Sequence, residues 1–267
     1  MTTNDSAPAT RGHLPVNGIR MYYEIHGDGD ATPLVLLHGG GSTIEVTYSH
    51  LLPLFARHRR VIAVEEQGHG RTTDRDAPVR FDTSADDVAA LLGQLHIDRA
   101  DVMGFSNGAS VAMQLAIRHP AVVRKLVFAS SMTKKAGAHA QFWEAMNKAS
   151  FADMPQPLKD AFLRVNPDPQ KLRVMHDKDA ERMKHFVDTS DADVRSVTAP
   201  TLIIIGDHDL VTPEHAIELT HLLPHPRLMI LPGGHGDYLG EMIVANKASR
   251  YPEYTAGLIE EFLDSRE

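Results

Sequence analysis

Apolar residues in this chain fall into short unbroken runs, and the stretches between them carry apolar positions at helical spacing. Residues 34–37 (LVLL), 61–64 (VIAV) and 101–105 (DVMGF) are such runs, bounded by polar and glycine-containing segments. Runs of this kind without alternation predict strands buried on both faces of a parallel sheet. Residues 14–26 predict a hairpin, because Asn17-Gly18 separates two β-prone stretches. Residues 83–95 predict a helix, with Val88, Leu91, Leu92 and Leu95 on one face and Asp82 as its cap. The alternation continues with a helix at 109–118, strands at 125–129 and 201–205, and a helix at 213–223 that has proline in its first position. A strand at 227–231 and a helix at 254–264 close the chain. Alternation of this kind predicts an α/β fold, a mostly parallel doubly wound sheet covered by helices on both faces.

One stretch breaks the rhythm. Residues 133–195 carry no strand signal and are punctuated by Pro155, Pro157, Pro167 and Pro169. They predict a helical insertion of three or four short helices at the C-terminal edge of the sheet, where open α/β sheets bind ligands. The expected organisation is a loose tail at 1–12, a core formed by 13–132 and 196–267, and the insertion between them.

Composition narrows the function. The 267 residues are 42% hydrophobic and 23% charged, ordinary for a globular protein, and the formal charge is −8. An acidic surface disfavours nucleic acid, whose phosphates call for a basic face. With no cysteine, disulfides, thiolate nucleophiles and cysteine-ligated metals are removed together. The polar first twelve residues lack the apolar core of a secretion signal, and no segment approaches the roughly 20 apolar residues of a membrane span. A cytoplasmic protein whose partner is a small molecule is expected; the pattern carries no signal for oligomeric state.

The chemistry concentrates at strand ends. Gly104-Phe105-Ser106-Asn107-Gly108 stands between a predicted strand and a predicted helix, the context in which G-x-S-x-G forms a tight turn that lifts the serine hydroxyl above the sheet. A hydroxyl needs a base. His235, in the glycine-rich loop GGHG after the last strand, is the candidate. Asp209, in GDHD after the strand at 201–205, is the candidate to orient it, with Asp207 as the rival. The order serine, aspartate, histidine matches one of the known triad orders. An oxyanion needs two donors: the amide of Asn107, and one from the glycine run 38–41, where Gly40 is preferred over Gly39 and His38 is expected to brace the loop. No metal or nucleotide cofactor is expected. H-E-x-x-H is absent, Pro224 breaks the helix that His221 and His225 would need, and neither G-K-[ST] nor G-x-G-x-x-G occurs in the right context. Arg57–Arg60 is expected to be helix-end charge, and Lys134 and Lys135 a solvated patch.

The segments HGGG (38–41), GHGRT (68–72), GFSNG (104–108), GDHD (206–209) and GGHG (233–236) together resemble the α/β-hydrolase fold superfamily across residues 14–262. The resemblance implies that residues 133–195 are a lid over the active site and that GHGRT is mainly structural. It also exposes a departure: relatives often carry aspartate before GHG, where this chain reads VEEQGHG, leaving Glu65 and Glu66 to brace the loop or shape the pocket floor. A serine at the elbow implies acyl transfer, with carboxylic esters of small to medium apolar groups the expected substrates. Phe142, Trp143 and Met146 are expected to form part of an apolar pocket wall. The alternatives are a carbon–carbon bond hydrolase, a cofactor-free perhydrolase, and a small-ligand receptor built on the same fold.

Overall fold

Two antiparallel strands begin the computed structural model, which describes residues 10–244 and 248–266. They are β1 (Thr10–Val16) and the first part of β2 (Ile19–Leu37), joined at Asn17-Gly18 with both residues at positive φ, as a two-residue type I′ turn requires. Pairing starts at Thr10↔Ile25, so residues 10–12, expected in the tail, belong to the sheet. Residues 1–9 of that tail lie outside the described residues.

The two strands expected at 19–26 and 34–37 are one element. Partners along β3 (Arg59–Val64) run Glu24↔Ala63, Ile25↔Ile62, His26↔Val61, then Leu34↔Val61 up to Leu37↔Val64. The falling and then rising partner numbers mean that β2 doubles back and flanks β3 on both sides. Gly27 (φ +69°) makes the bend possible: a Cβ there would lie 2.4 Å from the carbonyl oxygen of Ala56. Two short helices, α1 (Ile44–Tyr48) and α2 (Leu52–Phe55), which hydrophobic spacing did not reveal, connect β2 to β3.

The rest is alternating. In order come α3 (Phe81–Gln94), β4 (Ala100–Phe105), α4 (Asn107–Arg118) and β5 (Val123–Ala129). After the insertion follow β6 (Thr201–Gly206), α9 (Pro213–Leu222), β7 (Pro226–Leu231) and α10 (Tyr251–Asp264). The seven-stranded sheet has the order β1-β2-β4-β5-β6-β7, with β3 paired to β2, and every pair from β4 onward is parallel. One apolar layer packs α3, α4 and α9 against one face; a second packs α1, α2 and α10 against the other.

The insertion holds four helices: α5 (Ala140–Lys148), α6 (Gln156–Val165), α7 (Pro169–Lys184) and α8 (Asp191–Arg195). Its own cluster of Met154, Leu158, Phe162, Leu172 and Met175 rests on Val46 of α1. Three local expectations are corrected. Asp82 is inside the first turn of α3, whose cap position is Arg80, because the hydrophobic spacing began one residue after Asp82 while the helix extends back to Phe81. Arg59 is not helix-end charge but a fully buried strand residue, held by Asp264 at 2.7 Å and Asp101 at 3.5 Å. Lys134 is ion-paired to Asp191 and Glu218 rather than free in solvent.

Candidate active site

β4 ends directly beneath the cavity. Ser106 follows it with φ +54° and ψ −122°, a conformation that costs a non-glycine residue of order 1–3 kcal/mol. Tight packing imposes it. A Cβ on Gly104 would lie 2.1 Å from the Gly108 carbonyl oxygen, and one on Gly108 would lie 2.3 Å from that of Leu37. The amide of Ser106 donates to Ala129 at 2.9 Å, anchoring the turn to the neighbouring strand. The Ser106 side chain does not cap α4; it lines the cavity instead, and among the described residues its hydroxyl has no hydrogen-bond partner.

His235 lines the same cavity. Its ring packs on Phe105, the residue before Ser106, with centroids 4.7 Å apart. Nδ1 of His235 donates to Oδ1 of Asp209 at 2.7 Å; among the described residues no hydrogen bond engages Nε2. Two loops must meet for this contact. Gly206 lets them: a Cβ there would be 2.2 Å from the Gly233 carbonyl oxygen. Asp207 holds them together by accepting from the Gly233 amide at 2.8 Å, while His208 donates its own amide to Gly233 at 3.0 Å. Of the two rival aspartates, Asp209 therefore meets the imidazole and Asp207 ties the loops.

The electrostatics follow the geometry. Burial pushes the Asp209 carboxyl up, but hydrogen bonds from His235, Ser130 and the Gly206 amide outweigh it and hold it below the ordinary aspartate value. Burial pushes the His235 imidazolium down, and the Asp209 hydrogen bond and charge, aided by Glu241, bring it net above 6.5. Ser130, at φ +50° after β5, donates its hydroxyl to Oδ2 of Asp209 and is bonded to the Tyr238 hydroxyl at 2.7 Å. Sequence reasoning passed over both Ser130 and Tyr238. Position alone, a hydroxyl residue ending a central strand beside the elbow, was the signal available for Ser130.

Hydrogen bonding separates the three glycines of the 38–41 loop. The Gly39 amide is taken by Thr47 at 3.2 Å and the Gly41 amide by Asp179 at 2.7 Å. Among the described residues, the Gly40 amide has no such partner, nor does that of Asn107, which opens α4, where amides lack intrahelical acceptors. Gly39, the alternative donor, is thus occupied. His38 bonds the Gly39 carbonyl through Nδ1 and accepts from the Glu66 amide at Nε2, at 2.8 and 3.1 Å. Full burial, with the nearby His69 adding to it, lowers its pKa to about 4, so the ring is neutral and braces the loop.

The cavity measures about 310 Å³. Met132, Phe142, Met146, Met154, Leu158 and Met183 supply much of its wall, and α5, α6 and α7 close one side. Of the three expected wall residues, Phe142 and Met146 line it and Trp143 does not: its ring packs on Phe142 and Phe186, and its indole N–H donates to the Lys135 carbonyl at 2.7 Å. Glu65 and Glu66 do not line the cavity either. Glu65 binds the amide and guanidinium of Arg71, and Glu66 binds Arg182 at 2.8 Å. Asp179, absent from the sequence reading, lies against Gly40, Gly41 and Asn107. With Arg182 it forms an i, i+3 pair on α7, a spacing visible in sequence but indistinguishable there from a surface pair.

A strained serine on the turn after β4, sharing a cavity with a histidine from the loop after β7 that is bonded to an aspartate from the loop after β6, defines a hydrolase-type α/β protein. A family model described as the alpha/beta hydrolase fold matches residues 32–173, and the chain belongs to that family. It is 30% identical over 238 residues to 2-hydroxymuconate semialdehyde hydrolase of Pseudomonas sp. strain CF600, covering 80% of this chain and 82% of that one. Among solved structures it resembles a serine hydrolase involved in carbazole degradation, with a TM-score of 0.78 at 22% identity over 96% of this chain and 99% of that one. It also resembles Est816, an N-acyl homoserine lactone degrading enzyme, with a TM-score of 0.73 at 25% identity over 94% of this chain and all of that one. No helix among the described residues is long and apolar enough to cross a membrane.

Proposed function

We propose that this protein is a serine hydrolase that cleaves carboxylic esters bearing small to medium apolar groups. The observation that carries this reading is the shared cavity: Ser106, His235 and the loop with the free Gly40 amide all border it, and Asp209 backs the histidine. Ser106 is the nucleophile. As its oxygen bonds to the ester carbon, Nε2 of His235 takes its proton, and the amides of Gly40 and Asn107 hold the oxyanion. Removing one such donor typically costs about 3–4 kcal/mol of barrier. The imidazolium, steadied by Asp209, then protonates the leaving alcohol. Water attacks the acyl-enzyme with His235 again as base, releasing the acid and restoring Ser106. The insertion acts as a lid whose Phe142 and Met146 contact the substrate; no cofactor takes part. The likeness to 2-hydroxymuconate semialdehyde hydrolase favours a second reading, cleavage of a carbon–carbon bond by the same residues.

The test is turnover of p-nitrophenyl butyrate together with labelling by a fluorophosphonate. Many turnovers per molecule, with the label on Ser106, support the esterase. A label on Ser106 without ester turnover favours the carbon–carbon reading, and no label at all removes Ser106 as nucleophile.

A further inference from the structure

Two carboxylates, those of Asp179 and Asp153, border the cavity beside the imidazoles of His176 and His235, and among the described residues no lysine or arginine does. Arg182 does not border the cavity: it donates to Asp179 and to Oε2 of Glu66, and its guanidinium lies 4.7 Å above the Phe81 ring. His69 approaches Oδ2 of Asp179 at 3.7 Å. Neither cation borders the cavity, so an entering acyl group approaches this pair from the Asp179 side.

We infer that the cavity selects neutral acyl groups and rejects those that end in a carboxylate, with Asp179 as the specificity-determining residue. The inference rests on the serine hydrolase reading of the same cavity and names its substrate class. Asp179 stays ionised there. Burial opposes its charge, but Arg182, His69 and the Gly41 amide hold its carboxyl far below the usual range. A second carboxylate brought beside it would be desolvated next to a like charge, and such juxtaposition is strongly disfavoured. A neutral polar group has a place to bind. The hydroxyls of Ser110 and Ser131, 2.9 Å apart, both line the wall. Bonded to each other, they still leave one O–H free to donate to a carbonyl or ether oxygen.

Two esters that differ only in charge decide it: the mono-p-nitrophenyl ester of adipic acid, an anion, and the same compound with its far carboxyl capped as a methyl ester. The neutral compound is expected to have a kcat/KM about 100-fold higher, and Asp179→Asn, which keeps the shape and an oxygen for the Gly41 amide, should shrink that ratio at least about tenfold. Equal kcat/KM values in the unsubstituted protein overturn the inference. An unchanged ratio in folded Asp179→Asn overturns the role of Asp179. Calorimetric binding of both esters to Ser106→Ala measures the charge preference without catalysis. It also decides the matter if Asp179→Asn does not fold, since equal affinities there overturn the inference. Fluorophosphonate labelling tests the nucleophile independently, so a failure of the hydrolase reading is distinguishable from a failure of the charge selection.

Discussion

Ser130 donates its hydroxyl to Oδ2 of Asp209, the carboxylate whose other oxygen faces His235. The acid that orients the histidine is therefore itself held from behind by a residue on the neighbouring strand end. Removing that donor weakens the hold on the carboxylate, which keeps the Gly206 and Leu210 amides, without touching Ser106 or His235. Ser130→Ala should lower kcat about tenfold with little change in KM, the pattern of a lost transition-state interaction. Equal changes in both would instead indicate that Ser130 contacts substrate.

The two aspartates of GDHD should separate cleanly. Asp209→Asn removes the charge facing the imidazole and should lower kcat by about 10³–10⁴-fold. Asp207→Asn leaves the imidazole alone and loosens the Gly233 contact, so its effect should be on thermal stability, by about 1 kcal/mol. Steady-state kinetics and a melting curve on both variants check the assignment, and the larger kinetic loss falling on Asp207 would reverse it.

pH dependence follows from the base. In the proposed cycle His235 is the base and works only when neutral, and Asp209 holds its pKa above 6.5. kcat/KM should therefore rise with pH along a limb above 6.5, and Asp209→Asn should move that limb to lower pH. Glu241 is coupled to the imidazole. Burial pushes its carboxyl up to about 7 against the opposing pull of His235, and its charge in turn favours the imidazolium. Glu241→Gln, lacking that charge, should move the limb to lower pH.

Strain at the elbow should be measurable as stability. Ser106→Gly relieves a positive φ that only glycine adopts freely, and should raise unfolding stability by about 1–2 kcal/mol while abolishing ester turnover. Urea denaturation with an activity assay reads both effects.

The ion cluster beneath the insertion should behave in the opposite way. Arg182 is buried between Glu66 and Asp179, and Arg182→Met leaves two buried carboxylates without the guanidinium they share. The expected loss is about 3–5 kcal/mol. Adding Glu66→Leu should return part of it, a non-additivity that a double-mutant cycle on urea unfolding would detect.

Much of this was legible in one dimension. Apolar runs buried on both faces, helical spacing between them and the order of Ser106, Asp209 and His235 are local or sequential properties, so the sequence by itself determined the α/β layering and the residue types that end its strands. The G-x-S-x-G turn was readable because the glycines answer a short-range steric demand. What depends on distant segments meeting was decided only by the tertiary structure. Asp209 was separated from Asp207 by which carboxylate a loop 26 residues away brings to the imidazole. Gly40 was separated from Gly39 by Thr47 and Asp179 occupying the amides on either side. Trp143 was an aromatic in the right segment that packing turned away from the cavity, and Asp179 was an ordinary helix carboxylate until α7 laid it against the glycine loop. Residue pattern records what each segment wants to bury; which polar atoms meet there depends on how those segments are set against one another.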